Sequence, residues 1–266
     1  MSVNAAAKPL GTDELLTAHK ALIDRLDELI HLTRLGRLED GHILRFLHND
    51  QEIRLSLPYA ERDYIQRNVV RTGTFYEIRQ LELLRQSGLV PENATILDVG
   101  ANIGNHTVFF AKAFRPVRLI CVEPQDTARR VLAANIDLNG LPGVTILDCL
   151  LGSADGYGEA ADFRRGNLGG TSFRECGEGG LSMRTLDSVL EKEALGNADF
   201  VKIDVEGMHL EVLAGATRLL RDVRPVVWIE LRAQKKEYNP AVEIFARFGY
   251  REKLRLGPND FVFAGA

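Results

Sequence analysis

Ile96-Leu97-Asp98-Val99-Gly100-Ala101-Asn102-Ile103-Gly104-Asn105-His106-Thr107 is the stretch whose reading decides the fold. A short apolar run, fit for a buried strand, meets a glycine turn, and a helix opens beyond it. Gly100 permits a sharp turn and the approach of a ligand with no Cβ in the way. Gly104 permits close contact between the new helix and the ligand or the sheet. The spacing is Asp-x-Gly-x-x-x-Gly, not the Gly-x-Gly-x-x-Gly of dinucleotide binders. A pyrophosphate needs amides crowded at a helix N-terminus. This turn lacks that glycine density, so it suits a nucleoside without phosphates.

Glu123 is the second signal. It ends the next strand, Ile120-Cys121-Val122-Glu123-Pro124, and Pro124 fixes the turn that follows. An acidic side chain at that place can take both hydroxyls of a ribose. The two motifs together imply an adenosine-type cofactor. A third run, Val144–Leu151, ends beside the expected adenine. There Asp148 could accept from the adenine amine, or Leu150 and Leu151 could carry its face.

Val201-Lys202-Ile203-Asp204-Val205-Glu206-Gly207 repeats the strand-then-glycine logic further on, and Glu230 closes the following strand, Val227-Trp228-Ile229-Glu230-Leu231. Open α/β sheets bind ligands at the carboxyl ends of their strands. Three carboxylates on neighbouring strand ends repel unless a cation, a hydroxyl network or a raised pKa relieves them. The alternatives are a helix cap for Glu206 and a salt bridge for Glu230. His106 and His209 are candidate general bases. Lys202 is expected to bury only its stem. No metal ligand set is assigned, although the carboxylates leave room for a divalent ion.

Outward from these motifs the chain alternates short apolar runs with helical stretches: Thr95–Val99, Gly104–Phe114, Val117–Val122, Thr127–Asn139, Val144–Leu150, then Phe200–Ile203, Leu210–Leu220, Pro225–Leu231 and Pro240–Phe248. That pattern predicts an α/β fold, a mostly parallel twisted sheet with helices on both faces. Tyr250–Leu256 and Phe261–Ala264 are joined too tightly for a crossover, so they form an antiparallel hairpin. Between 152 and 198 the alternation breaks into glycine-rich loops, placed where a substrate lid would sit. Residues 1–70 read as an N-terminal extension and 71–266 as the main domain. The extension begins with a helix over 12–35, whose apolar stripe serves either its own body or a dimer contact. A hairpin follows, 42–47 and 52–57 about His48-Asn49-Asp50-Gln51, and 62–86 reads as mostly helical.

The 266 residues carry a formal net charge of −4, with 45% hydrophobic and 26% charged residues. These are ordinary globular values, and a weakly acidic chain is a poor match to a nucleic acid. The short basic pairs Arg164-Arg165 and Lys235-Lys236 read as solvated surface. Cys121, Cys149 and Cys176 are widely spaced, without a zinc pattern, and fit a reducing compartment. There is no apolar signal core and no run long enough for a membrane span. The expectation is a soluble cytoplasmic protein.

Phe75-Tyr76-Glu77, Asp98–Gly104, Val122-Glu123-Pro124, Lys202–Gly207 and Ile229-Glu230-Leu231 together resemble the FkbM-type methyltransferase family. The resemblance spans roughly 70–235. It implies the Rossmann-like class I methyltransferase sheet, S-adenosylmethionine (SAM) as donor, and O-methylation of a sugar, glycolipid or polyketide-type acceptor. By this likeness Asp98, Gly100, Ala101, Asn102, Gly104, Asn105, Thr107, Glu123 and Pro124 hold SAM. Phe75, Tyr76 and Glu77 lie over donor or acceptor, and Asp204, Glu206 and Glu230 line the acceptor side. Met208-His209 departs from the family pattern. Two rival readings are a nicotinamide-dependent oxidoreductase or epimerase, which the missing Gly-x-Gly-x-x-Gly opposes, and a non-catalytic SAM-binding protein.

Overall fold

The computed structural model describes the chain apart from residues 1–10, 37, 40, 41, 163–167, 194, 195, 197, 233–235 and 266. Arg164, Arg165 and Lys235 of the two basic pairs lie outside the described residues. The chain opens with helix α1 (Thr12–Leu35), then a hairpin of β1 (Ile43–His48) and β2 (Gln51–Ser56). Asn49 and Asp50 both take positive φ, 47° and 60°, the geometry a two-residue hairpin turn demands. Helices α2 (Tyr64–Thr72) and α3 (Ile78–Ser87) follow, split at Gly73, whose φ of 70° ends the first.

The alternating section then runs β3 (Thr95–Val99), α4 (Asn105–Phe114), β4 (Arg118–Val122), α5 (Asp126–Leu138) and β5 (Val144–Leu147). The expected single strand over 144–150 is broken. Beyond Asp148-Cys149 the chain leaves the main sheet as β6 (Leu150–Leu151) and joins β7 (Gly156–Asp162), β8 (Ser172–Cys176) and β9 (Leu181–Arg184) in a second sheet, order β6-β9-β7-β8. Three short strands thus run through the region expected as glycine-rich loops, while 152–155 and 177–180 are turns, as expected. Gly158 and Gly180 sit within or beside these strands because they crowd together: a Cβ on Gly180 would lie 2.2 Å from the Gly158 carbonyl.

Helix α6 (Leu186–Lys192) leads back to the main sheet through β10 (Phe200–Ile203), α7 (His209–Ala214), β11 (Val226–Glu230), α8 (Tyr238–Arg247), β12 (Tyr250–Arg255) and β13 (Asp260–Gly265). The sheet order is β12-β13-β11-β10-β3-β4-β5. Strands β11, β10, β3, β4 and β5 are parallel, and β13 pairs antiparallel with both β11 and β12. The α/β class and the terminal hairpin are as the sequence implies. α7 is shorter than the expected helix over 210–220, because Gly215 ends it and a π-helical turn at Leu219–Val223 follows.

One face of the sheet packs on the hairpin and on α2 to α5, with Ile53, Leu55, Val69, Phe75, Leu81 and Phe110 fully or almost fully buried. The other packs on α6, α7 and α8 through Leu186, Val189, Leu213 and Phe245. The hairpin is tied to α5 by two buried amides: Asn135 Oδ1 accepts from Ser56 N, and Asn139 Oδ1 accepts from Arg54 N. Residues on either side of position 70 therefore share one core. The strand order reverses about β3, with β4 on one side and β10 on the other. That crevice, at the carboxyl ends, is where open sheets bind ligands.

Candidate active site

A cleft of about 190 Å³ lies at that crevice. Its floor comes from the turn after β3. Gly100 N and Ala101 N both donate to the Val122 carbonyl of β4, at 2.9 and 3.1 Å, which lashes the turn to the neighbouring strand end. Gly100 has φ 79°, and a Cβ there would lie 1.9 Å from the Asp204 carbonyl oxygen. The glycine is thus required by the backbone of the strand beside it, rather than by a ligand. Gly104, φ 82°, does not reach the cleft: its missing Cβ makes room for Leu132 of α5, 2.6 Å away.

Glu123 is 4% exposed and lines the cleft. Its two carboxylate oxygens accept one backbone N–H each, from Asn102 and from Gln125, both at 2.8 Å. Burial pushes this carboxyl up to about 7, against the pull of those two hydrogen bonds and of Arg129. Asn102 takes a positive φ of 50°, and its Oδ1 is buried without a partner. Gly169, from the second sheet's region, comes so close that a Cβ would stand 2.5 Å from Asn102 Nδ2. On the other wall Asn105 clasps the segment before α3. Its Oδ1 accepts from Tyr76 N and its Nδ2 donates to Tyr76 O, at 3.0 and 3.1 Å.

The second half of the site is set by strand register. Lys202 pairs with Asp98 on β3 and with Trp228 on β11, and Ile203 pairs with Ile229. This brings Asp204 and Glu230 together one residue beyond. Lys202 is 2% exposed, so the whole side chain is buried and not the stem alone. Its Nζ donates to Asp204 Oδ2 at 3.0 Å and lies 3.9 Å from Asp98 Oδ1. Burial works against the ammonium, but the charges of Asp204 and Asp98 outweigh it and hold the lysine protonated. Burial would likewise raise Asp204. The Lys202 charge and hydrogen bonds from Glu230 and Lys202 win, and its carboxyl sits well below the usual range. Glu230 moves the other way, up to about 8, through burial and the neighbouring Asp204 charge. The two neighbouring carboxyls are thus driven apart, Glu230 holding its proton more tightly than a free carboxyl and Asp204 less. Arg232 donates to both oxygens of Glu206, at 2.9 and 2.7 Å, and to Glu230 at 3.2 Å.

Of the residues expected at the site, Tyr76, Glu77, Gly100, Ala101, Asn102, Asn105, Glu123, Pro124, Leu150, Asp204, Glu206 and Glu230 line this cleft. Asp98 and Thr107 do not. They lie under the floor, where Thr107 Oγ1 donates to Asp98 Oδ2 at 2.7 Å. Asp148 is exposed at the strand break and is not itself part of the lining, which begins with Cys149 beside it. Phe75 is a core residue, edge-on to Phe46 and Phe109. His106 lines the cleft with Nε2 3.3 Å from Glu77 Oε2. His209 is 1% exposed behind the cleft, Nδ1 3.6 Å from Glu237 Oε1. Asp204, His209 and Glu230 do place one ligand-type atom each within 4.8 Å of the others, with Lys202 and Arg232 against the two carboxylates. Lys202, Arg232 and Asp260 went unassigned in the sequence. Only a cation two positions from each carboxylate hinted at the first two. Asp260 comes from the far hairpin, bonds Trp228 Nε1 at 3.1 Å and is pushed by burial, then by Glu77, up to about 6.

Residues 98–252 match the methyltransferase FkbM domain. The chain belongs to that family. Among its relatives are methyltransferase sdnD of Sordaria araneosa, 27% identical over 176 residues, covering 52% of this chain and 68% of that protein, and the hexuronic acid methyltransferase AglP of Haloferax volcanii, 28% identical over 144 residues, 53% of this chain and 57% of that one. A crystal structure of methyltransferase FkbM from Methylobacillus flagellatus superposes with a TM-score of 0.53 at 18% identity, over 77% of this chain and 56% of the other. The chain thus spans little more than half the length of two of these three. The fold of this FkbM-domain protein is that of class I methyltransferases. No helix among the described residues is long and apolar enough to cross a membrane.

Proposed function

We propose that the chain is a SAM-dependent O-methyltransferase acting on a hydroxyl of a sugar, glycolipid or polyketide-type compound. One observation carries this: a single cleft holds both a buried carboxylate of ribose-binding type, Glu123, and the charged Lys202–Asp204–Glu230 group. The residues present fit the cofactor. Each Glu123 oxygen keeps acceptor capacity beyond its one backbone N–H, enough for two hydroxyl donors. The unpartnered Asn102 Oδ1 is a further acceptor, and Val99, Leu150 and Leu151 offer an apolar bed for a base.

SAM, when bound, supplies a methyl group on a positively charged sulfur. The rest is the work of this chain. Asp204, kept anionic by Lys202, accepts a hydrogen bond from the acceptor hydroxyl and aligns its oxygen. The proton that the acceptor hydroxyl gives up when it is methylated would pass to Asp204. Glu230, neutral and hydrogen-bonded to Asp204, holds that carboxylate in place and spares the cleft a second negative charge. Arg232, in the wall of the cleft, fixes Glu206 and Glu230 by its hydrogen bonds. Base assistance gives about 10²–10⁴-fold where the base titrates near the working pH; Asp204 sits well below it, so its share is at the low end and alignment in the cleft gives more. The hexuronic acid methyltransferase among the relatives supports a sugar-type acceptor.

The test is a SAM-consumption screen against uronic acids, glycolipids and hydroxylated polyketide fragments, after calorimetric titration with SAM, S-adenosylhomocysteine and NAD(H). Binding of SAM with turnover of one of these hydroxyl compounds supports the reading. Heat with NAD(H) and none with SAM overturns it.

A further inference from the structure

Helix α1 is amphipathic the wrong way round. It meets the body with its polar side: Asp27 pairs with Arg71 at 2.9 Å, Glu28 with Arg67, and Arg34 Nη1 donates to the carbonyls of Val70 and Arg71. His31, on the same side, is its one buried residue. The apolar side faces away. Leu15, Leu16, Leu22, Ile23, Leu26, Leu29, Ile30 and Leu32 are each between 43% and 64% exposed, and nothing among the described residues covers them. A soluble helix normally does the reverse, and contiguous apolar patches of this extent mark interaction sites.

The stripe has a register. Leu15, Leu22 and Leu29 recur every seven residues, as do Leu16, Ile23 and Ile30, and His19, Leu26 and Thr33 complete the repeat. Leucine at one core position of all three heptads, with Leu26 at the other core position of the central one, makes a seam for a helix pair whose polar members, His19 and Thr33, lie towards its ends. Two copies laid antiparallel would set Leu22 of one against Leu26 of its partner at the centre, Leu29 against His19 and Leu15 against Thr33 towards the ends, and Ile23 beside Ile23 at the two-fold axis. The same arrangement opposes the two helix dipoles.

We propose that the face of α1 is a homodimer interface, formed by antiparallel pairing with the α1 of a second copy. The area suffices. Sixteen half-exposed aliphatic side chains amount to about 500–1,000 Å² of apolar surface on the usual transfer scale. A specific dimer buries roughly 1,200–2,000 Å² in all, of which about 60% is apolar. A lipid surface is a poorer occupant. The helix carries Asp13, Glu14, Asp24, Asp27 and Glu28 against Lys20, Arg25 and Arg34, the opposite of the basic excess that anionic lipid selects.

Sedimentation equilibrium on the full chain, with and without Leu22→Glu plus Leu26→Glu, tests this. The wild type is expected to be a dimer, and the double variant to dissociate more than about 100-fold more readily, since two central anchors are lost per chain. Its circular dichroism and melting temperature in the monomeric state should match the wild type, because both side chains are already exposed in the single chain. Orientation is read by single cysteines in a Cys176→Ser background: Ile23→Cys should cross-link across the axis and Leu15→Cys should not. A wild type that stays monomeric at 100-fold above the concentrations used for assay, or a dimer unmoved by the double variant, overturns the proposal. So does Leu15→Cys cross-linking in place of Ile23→Cys, or partition of the wild type onto phosphatidylserine vesicles with no dimer in solution. None of these outcomes depends on the enzyme reading.

Discussion

Replacing Glu123 with Gln is the most informative single change, because the structure fixes both its direction and its pH dependence. Each carboxylate oxygen faces a backbone N–H, from Asn102 and from Gln125. A Gln amide must therefore point its NH₂ at one of them, and it brings a neutral acceptor where a charged one stood. Hydrogen bonds to charged groups are worth about 1.5–3 kcal/mol each. Losing one ribose hydroxyl bond and weakening the other comes to roughly 3 kcal/mol, about 100-fold in affinity. The wild type should also respond to pH. Only the carboxylate can accept from both hydroxyls, and the carboxyl sits at about 7 in the empty protein. Affinity should be level above that pH and fall by up to about tenfold per unit below it, as the proton competes with the ligand. Isothermal titration with adenosine, which lacks a titrating amine, reads this from pH 5.5 to 8.5. The Gln variant should bind weakly with a flat profile. A variant that binds adenosine as tightly as the wild type, or a wild type whose affinity is indifferent to pH across that range, refutes the assignment of Glu123.

Asp204→Asn should lower turnover on the order of 10²-fold while SAM affinity by calorimetry changes less than about threefold; loss of SAM binding instead would move that residue to the donor side. Lys202→Met leaves the buried Asp98 and the partly exposed Asp204 without their cation, which should cost about 3 kcal/mol and on the order of 10 °C in melting temperature, and an unchanged melt would contradict the reading of Lys202 as a buried cation. Glu123, Asp260 and Glu230 all have folded pKa values raised above the ordinary carboxylate range, to about 7, 6 and 8. Their stabilising share is complete below about pH 4.5 and is lost as pH climbs through those values. The ligand-free melting temperature should accordingly decline between pH 5 and 8 in thermal scans, and a steady rise over that interval would show that the three carboxyls ionise freely.

Local sequence determined a good deal of this protein. The apolar run before Gly100, the acid at 123 and the alternation of period-two and period-3.6 segments specify an α/β sheet and its ligand edge, because strand, turn and helix chemistry act within a few residues. The place of Glu123 in the cleft was legible for the same reason, since it stands at a strand end beside its own turn. Tertiary structure alone decided what lies across strands. Lys202 reads as a surface stem until the parallel register sets it between Asp98 and Trp228. Asp204 and Glu230 carry the same kind of charge in the sequence, and only the assembled sheet, which sets Lys202 against the first and buries the second beside it, lowers one carboxyl and raises the other. Gly100 appears to the sequence as room for a ligand, yet the neighbouring Asp204 carbonyl is what fills that room. The side of α1 that turns outward was equally undetermined, since a stripe of leucines records that it needs cover but not from which chain. Distances between segments remote along the chain fix burial, charge coupling and exposed faces, and those distances exist only once the sheet is assembled.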